Sequence, residues 1–120
     1  MIHILIVDDE KIEREGLKYL LSMDEGQRKV FEASNGKQAL QILRTEEIQL
    51  LLTDIKMPHM DGLEATRLIR SYSKEVPIVA LTAFAFESDK DRAIEAGCDD
   101  FLTKPVSQNA LEKVLDKYVK

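Results

Sequence analysis

Five short apolar runs punctuate the chain: IHILIV (2–7), KVFEA (29–33), QLLLT (49–53), PIVALT (77–82) and DFLT (100–103). Most are rich in Ile, Val or Leu, and runs that are apolar at nearly every position predict strands covered on both faces, as in a parallel sheet. Between them the apolar positions take a helical period. Ile12, Leu17, Leu20 and Leu21 are expected on one helical face, Ala39, Leu40 and Leu43 on a second, and Ala65, Leu68 and Ile69 on a third. Ala93 and Ala96, with Ile94, make a weak fourth. Leu111, Val114, Leu115 and Tyr118, at i, i+3, i+4 and i+7, make the clearest stripe. Asp61 before Gly62 and Ser107 before Gln108 fit helix N-caps, and Gly97 fits a C-terminal stop. A strand–helix unit repeated five times predicts one open, doubly wound (βα)5 domain of the α/β class.

Bulk properties narrow the function classes. The chain has 120 residues, 44% hydrophobic and 32% charged, the profile of an ordinary globular domain rather than a disordered one. A net charge of −5 argues against direct binding to nucleic acid. No apolar run approaches the roughly 20 residues that span a bilayer, and MIHILIVDDE lacks the basic lead and cleavage site of a signal peptide. The single cysteine, Cys98, excludes an internal disulfide, so a reducing cytoplasm is the expected compartment. No linker or repeat interrupts residues 1–120, which are expected to form one domain without an effector domain.

The polar residues that break the apolar pattern sit at matching places. Asp8 and Asp9 follow the first run, Asp54 the third and Lys104 the fifth, while Thr82 closes the fourth. All lie at the carboxyl ends of predicted strands, the rim where open α/β sheets bind ligands. A carboxylate directly after LLLT is costly if buried, so Asp54 is expected to point out of that rim. Three carboxylates gathered there repel one another unless a cation sits among them. Hard oxygen ligands suit Mg²⁺ (or Mn²⁺), commonly completed by a phosphate. Asp54 is then a candidate nucleophile toward a phosphoryl group, with Lys104 and the Thr82 hydroxyl as donors to its oxygens.

Four segments, ILIVDDE, LLLTDIKMPHMDG, PIVALTA and EAGCDDFLTKP, together resemble the response-regulator receiver domain of two-component signalling. The resemblance covers essentially the whole chain. It implies a flavodoxin-like parallel sheet of order 2-1-3-4-5 with helices on both faces. It also implies roles: Asp54 as phosphoacceptor; Asp9 as direct Mg²⁺ ligand; Asp8 as its acidic neighbour; the backbone carbonyl of Lys56 as a further ligand. Thr82 and Phe101 match the switch residues, Lys104 matches the phosphate-pairing lysine, and the Lys104–Pro105 bond is expected to be cis. Lys56 and Phe84 flank the site and are expected to tune phosphate lifetime, bulky Phe84 by shielding the acyl phosphate from water. The implied donor is a histidine kinase or a histidine phosphotransfer protein. The implied output is a changed partner affinity on the face of the fourth helix, fifth strand and fifth helix, with a homodimer through that face as one option.

Other readings remain beside this one. Asp8 and Asp9 alone could cap the first helix, and Asp54 alone could be a turn residue before Pro58. His3 reads as a satisfied histidine in its strand, His59 as a loop residue, Cys98 as a small buried residue, and Lys113 and Lys117 as a solvated helix face. A phosphate-independent binding module would keep the fold without needing the acidic set. A phosphatase of the dehalogenase-like type would need a second aspartate two residues after Asp54, where Lys56 stands. No phosphate-binding glycine loop is present. The expectation is therefore a phosphoacceptor switch rather than an enzyme with a separate substrate.

Overall fold

The computed structural model describes residues 2–22, 28–54, 62–82 and 87–119. Ten elements alternate along the chain: β1 (Ile2–Val7), α1 (Lys11–Ser22), β2 (Arg28–Ala33), α2 (Gly36–Thr45), β3 (Leu50–Asp54), α3 (Gly62–Tyr72), β4 (Ile78–Thr82), α4 (Glu87–Ala96), β5 (Asp100–Thr103) and α5 (Gln108–Val119). The strands pair in parallel in the order β2-β1-β3-β4-β5, as the expected doubly wound topology requires.

Side-chain alternation in the strands divides the interior into two layers. Ile4, Ile6, Leu50, Leu52, Val79 and Leu81 pack with Leu17 and Leu21 of α1 and Leu111, Val114 and Leu115 of α5. Leu5, Val7, Leu51, Ile78 and Ala80 face the other way, onto Ala39 of α2, Ala65 and Ile69 of α3, and Ala93 and Ala96 of α4. Both faces of the central strands are thus buried, which explains why β3 and β4 read as continuous apolar runs.

The helix ends follow local chemistry. Asn35 caps α2, its side-chain oxygen accepting the Gln38 N–H at 2.9 Å. Ser107 caps α5 by accepting the Ala110 N–H at 3.1 Å. Gly97 ends α4 with φ +117°, a conformation that suits glycine. A Cβ there would also lie 2.6 Å from Cγ of Arg70. That arginine anchors the amino-end rim of the sheet. Its Nε donates to the Gly97 carbonyl at 2.7 Å, Nη1 to the Val76 carbonyl at 2.6 Å, and Nη2 to Asp99 Oδ2 at 2.6 Å. Asp99 Oδ2 also accepts the Ile78 N–H at 2.9 Å.

Three expectations are corrected. Ile94 is 52% exposed and does not join Ala93 and Ala96 on the buried face of α4. Ile12 does not share the buried face of α1 and is 83% exposed. It precedes Leu17 by five residues, about 140° around a helix of 3.6 residues per turn, so it points away from the core. Residue 13, one turn before Leu17, takes the inward place and is a glutamate. Asp54 is the last residue of β3 rather than the first beyond it. It pairs with Leu81 and is only 6% exposed. The ammonium of Lys104 offsets the cost of that burial. Asp61 and His59 lie outside the described residues.

Candidate phosphoacceptor and metal site

The strand alternation that builds the core also sorts the polar residues at the carboxyl rim. Asp54 has the parity of Leu50 and Leu52, Asp8 that of Ile4 and Ile6, and Lys104 that of Leu102, all on the layer of α1 and α5. Thr82 has the parity of Ile78 and Ala80, and Phe101 packs against that second layer. One rim therefore carries an acidic and cationic group on one side and the hydroxyl and aromatic on the other.

On the first side, carboxylate oxygens of Asp8, Glu13 and Asp54 all lie within 4.8 Å of one another. Asp8 is fully buried. Its Oδ1 accepts the Glu10 N–H at 2.9 Å, its carbonyl accepts Arg14 Nη1 at 2.6 Å, and its own N–H donates to Ala33 at 3.0 Å. The turn into α1 is thus built on Asp8, so the capping and ligand readings of this residue are compatible. Its other oxygen, Oδ2, is buried without a hydrogen-bond partner. Lys104 Nζ reaches into the cluster, 2.8 Å from Glu13 Oε2 and 3.4 Å from Asp54 Oδ1. The Lys104 backbone N–H donates to the Thr82 carbonyl at 2.7 Å, which fixes the loop after β5 to the end of β4. The Lys104–Pro105 bond is cis, as expected.

These contacts set the ionisation of the group. Burial pushes the Asp8 carboxyl up to about 7, and its contact with Glu13 and the charge of Asp54 add to the rise, against the pull of the Glu10 N–H. Glu13 moves the opposite way, held below its usual range by Asp8 and then Lys104. The two carboxyls move in opposite directions, so Asp8 is the member of the pair that favours its protonated form. Burial lowers Lys104, but the hydrogen bond to Glu13 and the charges of Asp54, Glu13 and Asp8 outweigh it and leave the ammonium above its usual range. A buried carboxylate oxygen without a donor, in an all-oxygen set, fits a hard divalent cation such as Mg²⁺.

The structure brings together Asp8, Asp54 and Lys104 of the expected residues. Asp9 is half-buried and stands outside the three-carboxylate cluster among the described residues. Thr82 is 3% exposed at the end of β4, and Phe101 is half-buried one strand away. Lys56 and Phe84 lie outside the described residues. Glu13 is a member of the cluster that the sequence pattern does not announce. Its one signal is its helical place, one turn before Leu17 on the inward face, where an apolar residue would be ordinary.

His3 and Cys98 have ordinary structural partners. His3 Nδ1 lies 2.9 Å from the Glu47 carbonyl, and its ring meets Phe31 edge-on at 5.4 Å. Cys98 is buried against the Thr66 hydroxyl at 3.6 Å. Lys117 pairs with Asp100 at 3.3 Å on the solvent face of α5. Among the described residues no helix is long and apolar enough to cross a membrane.

Comparison with known proteins agrees with this geometry. The family model for the response regulator receiver domain matches residues 4–116. The two-component response regulator ORR41 of Oryza sativa subsp. japonica is 42% identical over 120 residues, spanning 98% of this chain and 94% of that protein. The receiver domain of the sensor histidine kinase PA1611 from Pseudomonas aeruginosa PAO1, solved with a magnesium ion coordinated in its active-site cleft, is 30% identical with a TM-score of 0.85. That match covers 97% of this chain and 95% of the other. The co-crystal structure of the Saccharomyces cerevisiae phosphotransfer protein Ypd1 with the receiver domain of its downstream response regulator Ssk1 gives 34% identity and a TM-score of 0.85, over 98% of this chain and 88% of that one. With a matching sheet order, a rim that gathers Asp8, Asp54, Thr82 and Lys104, and relatives along its whole length, this chain belongs to the response regulator receiver domains of two-component systems.

Proposed function

We propose that the domain is a phosphorylation-dependent switch that accepts a phosphoryl group on Asp54 from a phosphohistidine donor. The observation that carries this is the position of Lys104 Nζ, 3.4 Å from the buried Asp54 Oδ1, which clusters with Asp8, whose Oδ2 is unpartnered. One Asp54 oxygen attacks phosphorus and the P–N bond to the donor imidazole breaks. The imidazole leaves neutral, its released nitrogen taking a proton from solvent, and Asp54 becomes an acyl phosphate. Lys104 neutralises charge on the phosphoryl oxygens, and the Thr82 hydroxyl donates to another of them. Asp8, Asp9, Asp54 and the Lys56 carbonyl would hold Mg²⁺ (or Mn²⁺), which would supply charge neutralisation for the transferred group. Phosphotransfer and later hydrolysis are self-catalysed, so the domain is a switch rather than an enzyme acting on a separate substrate.

The donor is a histidine kinase or a histidine phosphotransfer protein, a reading supported by the Ypd1–Ssk1 complex. An open groove of about 510 Å³, running from Asp8, Glu13 and Lys104 between Leu20 and Val106, gives a route to the site from the α1 side. Thr82 and Phe101, on the opposite layer, transmit the change to the α4-β5-α5 face by favouring one of two arrangements. A homodimer on that face is one form the output takes, and the cytoplasm is its setting. Phe84 shields the acyl phosphate.

Intact-mass analysis after incubation with Mg²⁺ and acetyl phosphate should show one added phosphoryl group, absent from Asp54→Asn. A labelled Asp54→Asn would refute the assignment. Thr82→Ala should keep the label but lose the spectral change that beryllofluoride induces in α4.

A further inference from the structure

We propose that Glu13 is a positioning residue that holds Lys104 back from the phosphoryl group and loosens that hold only in part when a divalent cation enters. The inference rests on the phosphoacceptor reading of Asp54. Lys104 Nζ stands closer to Glu13 Oε2, at 2.8 Å, than to Asp54 Oδ1, at 3.4 Å. Glu13 is delivered by α1, whereas Asp8 follows β1 and Asp54 ends β3. It sits on the inward face of that helix, where Leu17 and Leu21 follow.

The two neighbours of Lys104 make different demands. A phosphoryl group on Asp54 presents three anionic oxygens and needs the ammonium. Glu13 competes for that ammonium and adds negative charge against an incoming anionic donor. The same carboxylate belongs to the cluster that contains the buried, unpartnered Asp8 Oδ2, so it favours a cation there. A cation among the three carboxylates becomes a second counter-charge for Glu13, so its hold on Lys104 loosens without being lost. Glu13 therefore assists the metal and hinders the phosphoryl group. Its net effect is to make phosphorylation depend more steeply on Mg²⁺.

The test has two arms. In the first, Glu13→Gln lowers Mg²⁺ affinity by about tenfold, as loss of a supporting group near a metal commonly does. At saturating Mg²⁺ it raises the rate of labelling by acetyl phosphate by up to about fivefold, the upper end for a partly exposed ion pair. The rate curves of variant and wild type against Mg²⁺ concentration therefore cross, which a merely structural role does not produce. In a Lys104→Ala background the gain disappears. The second arm needs no metal and no donor. Thermal unfolding in EDTA of wild type, Glu13→Gln, Lys104→Ala and the double variant should be non-additive, because the two residues share one contact.

A variant slower than wild type at every Mg²⁺ concentration, or a gain that survives loss of Lys104, overturns the proposal. So does additivity in EDTA. A wild type that takes up no phosphoryl group overturns the phosphoacceptor reading itself, and the EDTA arm then separately decides whether Glu13 holds Lys104.

Discussion

Replacing Asp8 by asparagine should stabilise the metal-free protein at pH 8. Asp8 is fully buried, and its carboxyl titrates near 7 instead of at the 3.8 of a free side chain. A carboxyl whose pKa is raised on folding stabilises the native state only while it is protonated. That contribution is complete below pH 3.8 and is lost as pH rises through about 7. Raising a pKa by one corresponds to about 1.4 kcal/mol, so the charged Asp8 costs the fold up to about 4 kcal/mol at pH 8. Glu13, held down by the same contact, returns part of this, which leaves about 2–4 kcal/mol. Asparagine keeps the shape and the acceptor for the Glu10 N–H. It also turns the repelling oxygen into an N–H donor aimed at Glu13. At roughly 4 °C per kcal/mol for a domain of this size, Tm in EDTA should rise by about 8 °C or more at pH 8. At pH 5, where Asp8 already carries its proton, the gain should shrink to a small remainder. Mg²⁺ should stabilise the wild type more at pH 8 than at pH 5, because metal and proton compete for the same oxygens, and should do little for the variant. Scanning calorimetry at both pH values, with EDTA and with Mg²⁺, reads all four conditions. A variant less stable than wild type at pH 8 in EDTA, or an equal difference at both pH values, would refute the reasoning.

Three further substitutions probe other parts of the molecule. Gly97→Ala should cost about 1–3 kcal/mol in urea unfolding, because φ +117° strains an L-residue and the new Cβ meets Arg70; an unchanged midpoint would contradict this. Leu51→Ala, in the fully buried central strand, should cost about 2–5 kcal/mol by the same measurement. Phe84→Ala should shorten the lifetime of the acyl phosphate, followed by loss of label after the donor is removed; an unchanged or longer lifetime would remove the shielding role.

Much of the fold is legible in the residues alone. The apolar runs mark all five strands, most plainly β1, β3 and β4, which are buried over most or all of their length, and IHILIV matches β1 residue for residue. Four rim residues stand out because a charged or hydroxyl group at the end of an apolar run breaks the pattern visibly. Ile12 misleads because hydrophobicity alone does not give direction, and the five-residue step to Leu17 decides it. Glu13 escapes for a related reason. A glutamate in KIEREG looks like one more solvated helix charge, and only the third dimension sets it beside two aspartates at the tips of separate strands. Asp54 looks like a rim residue because an isolated buried carboxylate is so costly; the companion that makes it tolerable, Lys104, lies 50 positions further on.

The Arg70 anchor has a bearing on how the chain tolerates change in length. One guanidinium fastens the end of α3, the entry to β4 and the α4–β5 turn through Val76, Gly97 and Asp99. Inserting or deleting a residue between 73 and 77, or between 97 and 99, would displace a carbonyl or carboxylate that the other two segments also depend on. Grafts, tags and circular breaks belong elsewhere on the surface, and a family member that altered one of these turns would have to rebuild all three together.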